Sequence, residues 1–129
     1  MAYTTKDSYS FTVPLVPPSV NHYKHPNGKG GFYRSKEADA YLQAVQLFSN
    51  NRREPLDFRF YHVDLTFMIE QDKVLRCDLD NLLKLAFDAL THAFVIRDDR
   101  YVSSFAARKF GIQGRYNERT EFVVTRGKE

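Results

Sequence analysis

Residues 76–90 read RCDLDNLLKLAFDAL, and the fold turns on how this stretch is read. Leu79, Leu82, Leu83, Ala86, Phe87 and Leu90 recur at helical spacing, which lays one apolar stripe of a helix on a core. The start of that helix does not serve the core. Asp78, Asp80 and Asn81 crowd its first turn, and Lys84 stands one turn on. Acidic residues suit a helix N-terminus because the exposed N–H groups there carry partial positive charge. Capping of this kind accounts for one or two carboxylates.

It does not account for the pair at Asp98 and Asp99. From Asp80 to His92 the helix rises roughly 18 Å. An extended chain from Phe94 to Asp99 covers about 17 Å. A segment FVIRDD that turns straight back along the helix therefore brings its end beside the helix start. Asp78, Asp80 and one of Asp98 and Asp99 then converge; strand alternation aims the last two at opposite faces. Carboxylates so close stay ionised most easily around a hard, oxygen-seeking divalent cation such as Mg2+. Lys84 adds a positive charge on the same side.

Upstream, residues 58–69 (FRFYHVDLTFMI) alternate strongly, with Tyr61, Val63, Leu65, Phe67 and Ile69 on one face. His62 and Asp64 fall on the other, which a partly exposed sheet face explains. Residues 35–50 form a helix with Ala38, Tyr41, Leu42, Val45 and Phe48 inward, Ser35 as its cap and Asn50, Asn51 and Pro55 as its stop. Residues 9–16 alternate as a strand that Pro14 ends early or confines to an edge. Residues 101–110 and 120–126 read as two more strands around a turn at 111–117. The order is β-α-β-α-β-β. This is an α/β chain of the α+β type, one domain over 1–129, with two helices on a mixed or mainly antiparallel sheet. At this size one sheet face is left incompletely covered, which suits a homodimer.

Residues 19–34 (SVNHYKHPNGKGGFYR) make a long loop without an acid. Lys24, Lys29 and Arg34 neutralise phosphates in such a loop, and Tyr23, Phe32 and Tyr33 pack on sugars or unpaired bases. From composition alone, a solvated surface loop explains it equally well. A net charge of +3 permits nucleic-acid binding without requiring it. The one cysteine, Cys77, excludes an internal disulfide and reads as a small, inert residue; a reducing, cytoplasmic setting is the simplest expectation. No apolar signal core opens the chain and no apolar run approaches a membrane span, so no membrane partner is expected. Nor is an organic cofactor: there is no Gly-rich phosphate loop, which also counts against a phosphohydrolase of free nucleotides.

The pattern D-L-D-N-x-x-K-x-x-x-D-A-L followed by a DD pair resembles the RusA family of Holliday-junction resolvases. It is carried by Asp78, Leu79, Asp80, Asn81, Lys84, Asp88, Ala89, Leu90, Asp98 and Asp99. Pro17, Pro18, Ser19, Asn21 and Tyr23 match the family's P-P-S-x-N-x-x-Y pattern, so the resemblance covers nearly the whole chain. It implies a dimeric, metal-dependent endonuclease acting on branched DNA at four-way junctions. It further implies that Asp78, Asp80 and Asp99, with Asp98 in support, hold Mg2+, or Mn2+ in its place, and that Lys84 stabilises charge or positions water. Asn21, Tyr23, Lys24, Lys29, Arg34, Arg76 and Arg100 are the expected DNA contacts. Relatives tend to be basic immediately before the first Asp; here Cys77 takes that place and Arg76 lies one residue back. The rival reading is a non-catalytic, structure-selective nucleic-acid-binding protein whose acids serve only as caps.

Overall fold

A computed structural model describes residues 2–18, 24–26 and 32–128, with backbone alone for 24–26 and 32–34. The alternating stretch upstream of the motif becomes strand β5 (Tyr61–Glu70). Tyr61, Val63, Leu65, Phe67 and Ile69 are fully buried on one face, while His62, Asp64, Thr66 and Met68 are half-buried on the other. The motif becomes helix α2 (Leu79–His92). Its buried stripe is shifted from the sequence pattern: Leu85 and Ala89 join Leu82, Ala86 and Leu90, while Leu79, Leu83 and Phe87 are only half-buried against the core.

Around these lie β1 (Tyr3–Thr4), β2 (Ser8–Val13), a small hairpin of β3 (Lys24–Pro26) and β4 (Phe32–Arg34), helix α1 (Lys36–Phe48), β6 (Val102–Ile112) and β7 (Arg119–Arg126). The main sheet has the order β1-β2-β7-β5-β6. Only β5 and β6 run parallel in it; its other pairs are antiparallel, so the sheet is mixed. The expected order of larger elements therefore holds, with β1 and the hairpin added. Strand β2 stops at Val13, just before Pro14. Ser35 caps α1 by accepting the Ala38 N–H at 3.2 Å. Asn50 and Asn51 end that helix region with φ of 70° and 49°, a left-handed conformation that Asn tolerates.

Both helices pack on one sheet face and on each other. Three buried hydroxyls are satisfied within this core. Tyr9 donates to the Ser49 carbonyl at 2.6 Å, Tyr41 to Thr120 Oγ1 at 3.1 Å, and Thr120 to the Leu15 carbonyl at 2.8 Å. Burial holds the Tyr41 hydroxyl far above its ordinary pKa. The opposite sheet face is mixed, with Met68, Phe110 and Val123 set among polar side chains. Arg108 forks onto Asp64 at 2.6 and 3.4 Å and His62 bonds Ser104 at 2.7 Å, which accounts for His62 and Asp64 without chemistry.

The segment after α2 departs from expectation. It does not return along the helix as a strand. The backbone reverses at Phe94, whose φ is 57°, and the Val95 N–H donates to the Leu90 carbonyl at 3.0 Å. This is a left-handed helix stop made without glycine. Val95 and Ile96 then bury completely, and the Leu56 N–H donates to the Val95 carbonyl at 3.1 Å. Asp98 opens a 3-10 turn, Asp99–Tyr101, that leads straight into β6. Because β5 and β6 are parallel, α2 is a crossover that runs against both of them.

Candidate active site

The crossover fixes where each acid stands. Asp78 and Asp80 lie at the start of α2, beyond the end of β5, while Asp98 and Asp99 lie where β6 begins. A helix of 14 residues spans about 21 Å, so the two acidic groups of one chain sit near opposite ends of it. Asp99 feels the charge of Asp88, two helical turns beyond Asp80. Among the described residues of one chain, no three His, Cys, Asp or Glu side chains are grouped closely enough to hold a metal ion. The convergence of Asp78, Asp80 and Asp99 within a single chain is thus corrected: the return strand that would have produced it is replaced by the Phe94 reversal.

At the first end, Asp78 is the N-cap residue, extended at φ −70° and ψ 133°, yet its side chain makes no capping hydrogen bond. A carboxylate present only to cap would accept an N–H from the first turn. Asp78, Asp80 and Lys84 are exposed, and Asn81 is half-buried. Arg76 is exposed in the preceding 3-10 turn, Val74–Arg76.

That turn is clamped from the sheet. Lys109 Nζ, from β6, donates at 2.7 Å to the Val74 carbonyl and at 2.7 Å to the Cys77 carbonyl. Nothing local in the sequence marks Lys109 for this role. The available signal was parity: in the registered strand Phe105, Ala107 and Lys109 share the helix-facing side, and Lys109 lies beside fully buried Phe67. Cys77 is a half-buried free thiol.

At the second end, Asp98 and Asp99 do not alternate as strand residues. Their carboxyl groups lie side by side, so that a protonated Asp99 can donate to Asp98. Asp98 also accepts the Arg100 N–H at 3.0 Å, and these bonds hold it below the usual carboxylate range. Asp99 is pushed above that range, first by the bond to Asp98, then by partial burial and by the charges of Asp98 and Asp88. Tyr61 pins the approach to this pair, donating to the Leu56 carbonyl at 2.7 Å and accepting the Arg97 N–H at 3.3 Å. Burial raises the Tyr61 pKa. Arg97 lies over the Tyr61 and Tyr101 rings and donates to the Arg59 carbonyl at 2.7 Å; it is committed to structure. Arg100 lies over the Tyr101 ring and remains exposed.

Of the expected DNA contacts, Asn21, Tyr23 and Lys29 lie outside the described residues. Lys24 and Arg34 are partners in the β3–β4 hairpin, described there by backbone alone. Within the described residues no helix is long and apolar enough to cross a membrane.

An α+β domain with exposed carboxylates at a helix start and a second acidic pair at a strand start has the make-up of a hydrolase domain. The donor set is all oxygen, which suits Mg2+ or Mn2+ rather than a thiolate-seeking metal. The family model for Endodeoxyribonuclease RusA matches residues 14–122, and the chain belongs to that family. It is similar to the Crossover junction endodeoxyribonuclease RusA of an Escherichia coli ETEC strain, with 32% identity over 108 residues, 82% of this chain and 86% of the relative. The protein of the same name from Shigella sonnei is 31% identical over 106 residues, with coverage of 82% and 86%.

Proposed function

We propose that this chain is an endodeoxyribonuclease that resolves four-way DNA junctions by hydrolysing phosphodiester bonds, working as a homodimer with a divalent cation. The observation that carries the reading is Asp78, a helix N-cap whose carboxylate does not cap. Together with family membership, it favours a ligand or catalytic role over the rival reading in which the acids only cap.

Asp78, Asp80 and Asp99, with Asp98 in support, are the residues that would hold Mg2+ or Mn2+. Bound there, the cation supplies Lewis-acid polarisation of a phosphoryl oxygen and a more acidic water. The chain's own residues do the rest. Lys84, one helical turn from Asp80, offers its ammonium to the charge that develops on the phosphoryl group. Arg76 and Arg100 neutralise neighbouring phosphates, as do Lys24, Lys29 and Arg34 of the basic loop, where Asn21 and Tyr23 orient the strand.

A single chain separates its acids, so the site needs a second copy. Strand β6 is an edge strand of 11 residues without proline, and among the described residues it has no further neighbour in the sheet. A second chain related by a two-fold axis through this edge runs antiparallel to the first. Its acidic pair then arrives at the start of the first chain's α2, and the reverse holds for the other site. Two such sites match the two symmetric cuts that a junction requires.

Complementation tests this. Asp80→Asn and Asp99→Asn proteins, each inactive alone, are mixed under conditions of subunit exchange, which differently tagged chains verify. A shared site gives mixed dimers with one intact constellation, and junction nicking returns. No return of cutting in verified mixed dimers would overturn the shared site. A wild-type protein that binds junctions but never cuts them with Mg2+ or Mn2+ would overturn the nuclease itself.

A further inference from the structure

We infer that Lys109 is a positioning residue for the cation site, acting through the turn that delivers Asp78. The inference rests on the nuclease reading above and deepens it.

Asp78 is flanked by two peptide planes. The one after it is fixed by the helix, since the Asp78 carbonyl accepts the Leu82 N–H at 3.2 Å. The one before it contains the Cys77 carbonyl, which accepts from Lys109 at 2.7 Å. A peptide is rigid, so holding that oxygen also holds the N–H side of Asp78 and the direction of its Cα. The second Lys109 bond, to the Val74 carbonyl at 2.7 Å, closes the other end of the turn. One ammonium thus spans residues 74–77, which present Leu75 (90% exposed) and Arg76 outward.

The remainder of the connection is tied down as well. The Gln71 N–H donates to the Ile112 carbonyl at 2.8 Å, and Lys73 pairs with Glu118 at 3.0 Å. Lys109 is the link closest to the acid. Its two charge-assisted bonds to half-buried carbonyls cannot be replaced by a shorter or apolar side chain. Removing them frees rotation about the Cys77 and Asp78 backbone, and the carboxylate loses its fixed aim at a cation.

The test compares Lys109→Met, Lys109→Gln and Lys109→Arg with the wild type. Mn2+ binding is read by calorimetry without DNA, Cys77 reactivity by thiol titration, and junction cutting as a function of Mg2+. Lys109→Met should weaken Mn2+ binding and raise the Mg2+ half-saturation about tenfold or more. It should also speed Cys77 modification, while junction binding without cation stays near wild type. Lys109→Arg, which keeps the charge and more than one donor, should recover most of the loss. Lys109→Gln, with one amide donor group, should fall between, and it carries the test if the Met variant does not fold. A folded Met or Gln variant with wild-type Mn2+ affinity and Mg2+ dependence overturns the inference. A wild type that neither binds Mn2+ nor cuts overturns the underlying reading too, and the two failures are told apart by the wild-type measurement alone.

Discussion

Tyr61→Phe removes one hydroxyl and so isolates what holds the Asp98–Asp99 end in place. The Tyr61 oxygen donates to the Leu56 carbonyl at 2.7 Å and accepts the Arg97 N–H at 3.3 Å. The residue is fully buried, so water does not replace the lost partner freely. Leaving a buried carbonyl and a half-buried amide unsatisfied costs about 1–3 kcal/mol. Unfolding entropy of about 2.1 cal/mol/K per residue gives about 0.27 kcal/mol/K for 129 residues, so a cost near 2 kcal/mol lowers Tm by about 7 °C. Tyr9→Phe is the matched control. Its hydroxyl donates to the buried Ser49 carbonyl at 2.6 Å, a partner outside the turn that carries Arg97 and Asp98. Thermal unfolding by circular dichroism should show losses of similar size in both variants. Junction cutting, measured well below either Tm, should fall severalfold only in Tyr61→Phe, because the turn carrying Arg97 and Asp98 has lost its anchor. Equal loss of cutting in the two variants, or an unchanged Tm in Tyr61→Phe, would refute the reasoning.

The Asp98–Asp99 pair sets a pH dependence. Asp99 is raised in the fold, so its contribution to stability is complete below about pH 4, the ordinary aspartate value, and is lost as pH rises through its raised folded value. Asp98 is lowered, so its contribution is present above the ordinary value and lost as pH falls through its lowered one. Without cation, Asp99→Asn should therefore be more stable than wild type at neutral pH and lose that advantage near pH 4; melting curves in chelator across this range check it. Phe94→Gly relieves a left-handed non-glycine residue, worth about 1 kcal/mol, and should raise Tm by a few degrees in the same assay. Arg76→Ala and Arg100→Ala should each weaken junction binding and lower the slope of log affinity against log salt by about one, read from titrations at several salt concentrations.

The sheet and both helices were legible because burial imposes a period on the sequence. Tyr61 through Ile69 alternate and do bury one face, and Ser35 caps the helix that the apolar spacing predicted. The acids at the start of α2, one half of the candidate site, stood out for a related reason, since Asp78 and Asp80 lie where local chemistry asks for at most one cap. The second half was misplaced by one backbone torsion. A glycine at position 94 would have announced a helix stop; a phenylalanine with φ of 57° does not, and FVIRDD looked like a returning strand. The β-α-β order was itself a clue, because a parallel crossover puts the next strand's start at the helix's far end. For Lys109 parity showed the inward side but not the partners. Its two partners lie 35 and 32 residues away, joined to it only by strand register.

The division of acids between the two ends of α2 makes dilution a decisive measurement. A constellation inside one chain has the same activity per chain at any concentration. A constellation shared between two chains exists only in the dimer. Below the dimer's dissociation constant the dimer fraction falls in proportion to total protein, so tenfold dilution should lower cutting per chain by about tenfold. With junction in excess, DNA disperses the chains rather than collecting them, and the dependence should steepen no further. Sedimentation at the same concentrations locates the monomer–dimer midpoint independently. The two midpoints should coincide, and Asp80→Asn/Asp99→Asn double-variant chains added in excess should poison the wild type by drawing it into mixed dimers. Those dimers retain one intact half of each site and no complete one. Constant activity per chain, carried down into the range where sedimentation finds only monomer, would mean that one chain gathers its acids unaided, against the parallel register of β5 and β6.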